Sequence, residues 1–260
     1  MGKLLTIDGP GILRRVHEVN PDPDSPEKAN ATLRYSLSTF RKLLATHQPT
    51  HVLAAFDFGG STWRHHVYGK YRENKAPMPE GLQQGLPEFH DSLAAIGIPV
   101  VCVPAVEAAD VIGTAVLRWL GENRGEVIVA SADRGLHALI AHGALVWDVF
   151  KNEWHDRDWV EQRFGVPPAM LPDLLALMGD AAVGIPGVPT VGQKKAAKLL
   201  QAYGNLDAVM AGAGILKNPL GEILRREGEA LTLSRTLVTL KTDVTLGVTW
   251  KMLELQQATH

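Results

Sequence analysis

The sequence predicts an α/β fold: a mostly parallel sheet flanked by helices, followed by a second region that is helical throughout. Three observations predict it. Short apolar runs recur at Leu4–Ile7, His51–Phe56, Ile98–Val103, Glu126–Ser131 and Ala144–Val149, with helix-length segments between the earlier ones. After Lys151 no further strand pattern is evident. A glycine- and proline-rich stretch from Gly179 to Gly192 separates two helical patterns, Leu171–Met178 and Gln193–Tyr203. At 260 residues, 45% hydrophobic and 21% charged, the chain sustains an ordinary globular core. We divide it into an α/β core over 1–150 and a helical region over 151–260.

In chain order, Leu4–Ile7 is a buried strand ending at Asp8. A helix follows over Pro26–Thr46, with Ser25 as N-cap and Pro26 in its first turn. His51–Phe56 is a second strand ending at Asp57, and Glu80–Ile96 a helix stopped by Gly97. Strand Ile98–Val103 leads to Glu107 and Asp110 at the mouth of a helix, Asp110–Leu120. Strand Glu126–Ser131 has Asp133 two residues beyond it, and Ala144–Val149 is the fifth strand. Helices are expected at Asp156–Phe164, Leu171–Met178, Gln193–Tyr203 and Leu220–Leu240.

Ligands of open α/β sheets bind off the carboxyl ends of the strands. Four of the five strands here are followed by a carboxylate. A single such aspartate is usually a helix cap, but clustered acids repel one another unless a cation sits among them. Asp8, Asp57, Glu107, Asp110, Asp133 and Asp180 are the candidates, and hard oxygen donors without histidine or cysteine suit Mg²⁺ or Mn²⁺. His65 and His66 read as surface residues. The lone Cys102 excludes an internal disulfide and fits a reducing, cytoplasmic setting. No run approaches the length of a membrane span. With a net charge of −2, any nucleic-acid binding has to come from local basic patches.

Two such patches stand out. Pro186, Pro189 and the glycines of 179–192 form a hairpin whose carbonyls on one side could coordinate a cation, while amides at Val191–Lys194 could meet a phosphate. Lys194, Lys195 and Lys198 add charge there. This resembles a helix-hairpin-helix element that grips a DNA backbone; it is not a Walker A loop, because Gln193 rather than lysine follows Gly192. The plainer alternative is an ordinary interhelical loop. The second patch, Gly59–Pro79, combines Arg64, Lys70, Arg72 and Lys75 with Trp63, Tyr68 and Tyr71, the cationic and stacking chemistry that single-stranded nucleic acid needs. Its plainer alternative is a solvated surface helix.

Taken together, Asp8-Gly9, Phe56-Asp57, Gly60-x-Thr62-x-Arg64-His65, Tyr71-Arg72-x-x-Lys75-x-Pro77-x-Pro79, Val106-Glu107-Ala108-Ala109-Asp110 and Gly179-Asp180 through Gly187-Val188 resemble the bacterial 5′-nucleases. These are the flap endonucleases and the 5′–3′ exonuclease domains of DNA polymerase I, and the free-standing length is most similar to the exonuclease IX type. The resemblance spans about Leu4 to Leu240. It implies a PIN-like core carrying a metal cluster, a basic arch over about 59–79 that threads a 5′ strand, and a hairpin binding duplex DNA with K⁺. It implies Mg²⁺ held by Asp8, Asp57, Glu107, Asp110, Asp133 and Asp180, with Asp110 foremost, and Arg72 and Lys75 as catalytic cations. The K⁺ donors would be the carbonyls of Leu177, Met178, Pro186, Val188 and Val191. The DNA-binding residues would be Arg64, Tyr68, Lys70, Thr190, Val191, Gly192, Gln193, Lys194 and Lys195. The expected partner is DNA with a 5′ flap or 5′ single strand, and the expected state a monomer.

The pattern is also depleted. Ala109, Gly135 and Val183 stand where the family motifs carry acids, and the arch's usual lysine and arginine are exchanged as Arg72 and Lys75. A rival reading is therefore a DNA-structure-binding protein on the same fold with weak or lost nuclease activity, and a third is a PIN-like ribonuclease.

Overall fold

The computed structural model describes residues 1–213 and 219–255. The α/β part comprises β1 (Gly2–Asp8), α1 (Gly9–Val19), α2 (Pro26–His47), β2 (His51–Asp57), α3 (Trp63–Val67), α4 (Glu80–Ala95), β3 (Val100–Val103), α5 (Ala108–Gly121), β4 (Gly125–Ala130), β5 (Leu145–Asp148) and β6 (Glu153–His155). The rest is α6 (Arg157–Phe164), α7 (Leu171–Met178), α8 (Gln193–Tyr203), α9 (Leu206–Ala213), α10 (Pro219–Arg226), α11 (Gly228–Val238) and α12 (Trp250–Leu253). The helical region expected to run to 260 therefore has 214–218 and 256–260 outside the described residues.

The strands form one sheet in the order β3-β2-β1-β4-β5-β6, parallel except for the β5–β6 hairpin. The central strands are buried on both faces, so they read as continuous apolar runs. Their pleat still sorts side chains: Leu5, Ile7, Val52, Ala54 and Phe56 pack on one side with Phe40, Phe89 and Leu93 of α2 and α4. Leu4, Leu53 and Ala55 pack on the other with α5 and the C-terminal helices.

The structure departs from the sequence reading in several places, α9 and α12 among them. Gly9-Pro10-Gly11 looked like a breaker, yet Asp8 caps α1 by accepting a hydrogen bond from the Gly11 amide at 3.0 Å, and proline is tolerated in a first turn. Strand β6 was too short for its periodicity to show, and it corrects the expectation of no strand beyond Lys151. The expected single helix Leu220–Leu240 is two, α10 and α11, separated at Glu227.

At the start of the sheet Gly125 adopts φ +130°, and an added Cβ would lie 2.0 Å from the Gly2 carbonyl oxygen. Gly125→Ala is therefore expected to cost at least the roughly 1–3 kcal/mol typical of a strained backbone site. A urea midpoint equal to the unsubstituted protein's would show that β1 and β4 can separate there without loss.

Candidate active site

The acids at the carboxyl ends of β1, β2 and β4 and at the entry to α5 converge as the topology requires. Asp8, Asp57, Glu107 and Asp133 line one cleft of about 260 Å³ together with Arg14, Arg15, Glu18, Arg72, Lys75, Ala109 and Ser131. Asp133 and Glu107 also border a neighbouring cleft that reaches Asp180, Arg134 and Gly135.

Their surroundings differ sharply. Asp8 accepts from the Gly11 amide and from Ser131 Oγ at 2.7 Å, and among the described residues it pairs with no basic side chain. Burial, then the charge of Asp133, raises its carboxyl to about 6, against the pull of Ser131 and Gly11. Asp133 is exposed, and its Oδ1 accepts from the Gly135 amide at 2.8 Å. Asp57 is exposed too, with Oδ1 accepting from the Ala108 amide at 2.9 Å and Oδ2 3.8 Å from Arg72 Nη1.

Glu107 and Asp110 are buried and already neutralised. Arg64, only 3% exposed, forms a fork on Asp110, with Nη1 at 2.7 Å from Oδ2 and Nη2 at 2.9 Å from Oδ1. Its Nη1 also reaches Glu107 Oε2 at 3.0 Å, and Nε donates to the Leu237 carbonyl at 2.7 Å. Asp110 further accepts from Trp63 Nε1 and from the Lys241 amide, both at 2.8 Å. Glu107 accepts from Tyr71 Oη at 3.2 Å and faces Arg72 Nη1 at 3.2 Å. Burial raises the Glu107 carboxyl while Arg72 and Arg64 pull it down.

Two sequence expectations are corrected here. Asp110, the foremost metal candidate, does not line the cleft, because both its oxygens are held by Arg64. Arg64, expected on DNA, is turned into the protein. The segment 59–79 is correspondingly docked rather than free. Tyr71 is buried with Ile185 and Leu237, and Val183 packs against them. The Arg72 amide donates to the Val183 carbonyl at 2.9 Å. Tyr68 is half-buried and Lys70 exposed. Arg72 sits at φ +56°, a left-handed conformation rare for arginine. Lys75 is held below the usual lysine range by burial and by Arg72 and Arg14.

Asp180 lies at the far edge, where Arg134 ion-pairs with its Oδ2 and the Ala182 amide caps Oδ1 at 3.0 Å. Sequence reasoning passed over Ser131 and Arg134. The signal was their position directly after β4, beside the acid already singled out.

The hairpin is built by close backbone approach. Gly179 has φ +65°, and a Cβ there would fall 2.7 Å from the Ile185 oxygen and 2.8 Å from the Pro186 oxygen. At Gly187 a Cβ would fall 2.7 Å from the Met178 carbonyl carbon. The Val188 amide donates to the Leu177 carbonyl at 2.8 Å, and the Val191 amide to that of Val188 at 3.0 Å. Val188 and Val191 are both buried. Thr190 (φ +66°), Gly192, Lys194 and Lys195 are exposed, and no side chain caps α8 at Gly192. Gln193 is half-buried and donates to the Arg163 carbonyl.

Comparison with known proteins shows the family and the fold. Residues 3–165 match the family model of the 5′-3′ exonuclease N-terminal resolvase-like domain, and 166–260 that of the 5′-3′ exonuclease C-terminal SAM fold. A protein of Psychromonas ingrahamii named flap endonuclease Xni is 33% identical, over 98% of each chain. One of the same name from Aeromonas hydrophila is 37% identical, over 94% of this chain and 92% of its own. Among solved structures, the T5 5′-exonuclease with bound zinc superposes with a TM-score of 0.78 at 18% identity, covering 92% of this chain and 90% of its own. The catalytic core of Rad2 in complex with DNA substrate gives 0.58 at 14% identity, covering 96% and 82%.

The Asp8 environment has a direct consequence for stability. A carboxyl raised from 3.8 to about 6 on folding contributes stability below the unfolded value that is lost as pH rises through about 6. Without divalent metal, Asp8→Asn should gain on the unsubstituted protein between these values and hold a constant advantage above them. Urea midpoints from pH 4 to 8 give the test, and a pH-independent difference would contradict the assignment.

Proposed function

The chain belongs to the 5′-3′ exonuclease family and is a nuclease, and from this premise we propose that it is a Mg²⁺-dependent, structure-specific 5′-flap endonuclease and 5′-3′ exonuclease acting on DNA in replication or repair. The observation that carries this reading is the cleft itself. Asp8 and Asp133 share it without an ion-paired basic side chain among the described residues, and burial, then the charge of Asp133, raises the Asp8 carboxyl to about 6. Such a donor set fits a hard divalent cation, whose charge removes the repulsion.

Asp8, Asp57 and Asp133 would hold Mg²⁺, with Glu107 bordering and Asp180 reached from the adjoining cleft. The bound ion supplies a nucleophile at neutral pH and offsets charge on the leaving oxygen. The protein's own part is positioning and charge. Glu107 is itself held by Arg64 and Tyr71, and its carboxylate orients Arg72 at the cleft. Arg72 and Lys75 line the cleft beside the acids, where a phosphate oxygen would meet both. Ser131 fixes Asp8 and, by accepting from the Asp133 amide at 3.0 Å, the loop after β4 as well.

The hairpin is our proposed duplex grip. Thr190, Gly192, Lys194 and Lys195 are exposed around the start of α8, which no side chain caps, and backbone amides and lysines there favour a phosphate. K⁺ would be taken by carbonyls of Leu177, Met178, Pro186, Val188 and Val191; those of Leu177 and Val188 each accept one amide and retain a second lone pair. The partner is DNA with a 5′ flap or 5′ single strand, bound by a cytoplasmic monomer.

The second reading, a DNA-structure binder with little nuclease activity, is favoured by Ala109, which puts a methyl group in the cleft wall where the family motif has an acid.

A labelled 5′-flap duplex in Mg²⁺ and K⁺ separates the two. Cleavage near the junction is expected, abolished by Asp8→Asn, and Arg72→Ala should lower kcat by about 10²–10³, as for loss of one charge-stabilising donor. Tight binding without cleavage in either Mg²⁺ or Mn²⁺ would establish the second reading.

A further inference from the structure

On the opposite side of the loop that carries Asp133, the β5–β6 hairpin gathers Asp148, Glu153 and His155. One ligand atom of each lies within 4.8 Å of the other two. His155 Nε2 is 3.0 Å from Glu153 Oε1 and 4.0 Å from Asp148 Oδ2. Donors at zinc-like bond lengths of about 2.0–2.2 Å are roughly 3.4 Å apart around a tetrahedral ion, so these spacings need little adjustment.

Two of the donors are fixed in place. Asp148 is 5% exposed, and its Oδ1 accepts from the amides of Phe150 and Lys151 at 3.0 and 3.1 Å, which leaves Oδ2 aimed at His155. His155 is 2% exposed, and Trp159 stacks on its ring with centroids 3.5 Å apart.

The hydrogen bonds behind His155 determine what its Nε2 presents. His137 Nδ1 lies 2.8 Å from the Asp133 carbonyl oxygen, which can only accept, so that nitrogen carries a hydrogen. With Nδ1–H given to Asp133, a singly protonated His137 offers Nε2 to His155 Nδ1, 2.8 Å away, which donates to it. His155 Nε2 is then the nitrogen that faces the two carboxylates, 3.0 Å from Glu153 Oε1, where a metal ion would take the place of a proton. An imidazole whose other nitrogen donates to a fixed acceptor is the usual outer-shell arrangement of a metal-bound histidine. The nearby cation is Lys151, 3.5 Å from Glu153 and 3.9 Å from Asp148, on a side chain 62% exposed and free to swing away.

We propose that Asp148, Glu153 and His155 form a site for a divalent transition-metal ion, Zn²⁺ or Mn²⁺ in class, distinct from the acidic cleft. One imidazole with two carboxylates selects such ions over Mg²⁺, with a fourth position left to water. Through His155 and His137 the site is hydrogen-bonded to the backbone of Asp133, so its occupancy steadies the loop that supplies an acid to the cleft.

The test is equilibrium dialysis of the metal-free, full-length protein against Zn²⁺ in excess Mg²⁺, with ¹⁵N-histidine NMR as a second readout. One Zn²⁺ per chain is expected, retained in Asp8→Asn, together with a Zn²⁺-dependent shift of a single histidine Nε2 that is missing in His155→Gln. Glu153→Gln, at a half-exposed position, should weaken binding at least about tenfold, and Lys151→Met should strengthen it by removing the competing ammonium. Uptake abolished by Asp8→Asn and unchanged by Glu153→Gln would overturn the proposal. So would a His155 that is doubly protonated at neutral pH and unresponsive to Zn²⁺, since a proton alone would then occupy the position.

Discussion

The buried fork between Arg64 and Asp110 is the interaction on which the rest of the site depends. It joins three stretches far apart in sequence: α3, the first turn of α5, and the chain leaving α11, through the Leu237 and Thr239 carbonyls. Breaking a buried pair by removing one partner typically costs about 3–5 kcal/mol, because the other charge is left unpaired. The fork also spends a positive charge inside the protein. Arg64 satisfies Asp110 and part of Glu107, Arg72 takes the other oxygen of Glu107 and lies 3.8 Å from Asp57, and Asp8 and Asp133 are left to face one another. The acids thus fall into a set that holds the architecture and a set whose repulsion calls for a cation.

The depleted motif positions make structural sense in this frame. Val183 adds an apolar side chain to the cluster around Tyr71, and its carbonyl accepts from the Arg72 amide. Gly184 lets the hairpin approach so closely that a Cβ would sit 2.6 Å from the Lys70 carbonyl oxygen. Gly135 donates its amide to Asp133. The basic segment and the hairpin are thus in direct contact, and Arg72 sits at that contact in its left-handed conformation.

Much of this was legible beforehand, for definite reasons. Strands buried on both faces appear as apolar runs, and a parallel sheet brings their carboxyl ends to one edge, so Asp8, Asp57 and Asp133 could be placed from order alone. The hairpin was visible because close backbone approach demands glycine, as at Gly179 and Gly187. Side-chain direction was not legible. Nothing in the local pattern distinguishes an arginine that faces solvent from one that turns inward, and Arg64 finds partners at positions 107, 110, 237 and 239. The same limit hid Asp148 and His155, whose relation depends on a three-residue antiparallel strand.

The division of the acids is tested most directly by calorimetric titration of Mg²⁺ into the full-length protein and into Asp8→Asn at pH 7.5. If Asp8 belongs to the cation-binding set, the unsubstituted protein binds Mg²⁺ and the folded variant binds it at least about tenfold more weakly, as expected when a hard-ion site with few carboxylates loses one. Equal affinity in the two proteins would place the ion elsewhere and contradict the account.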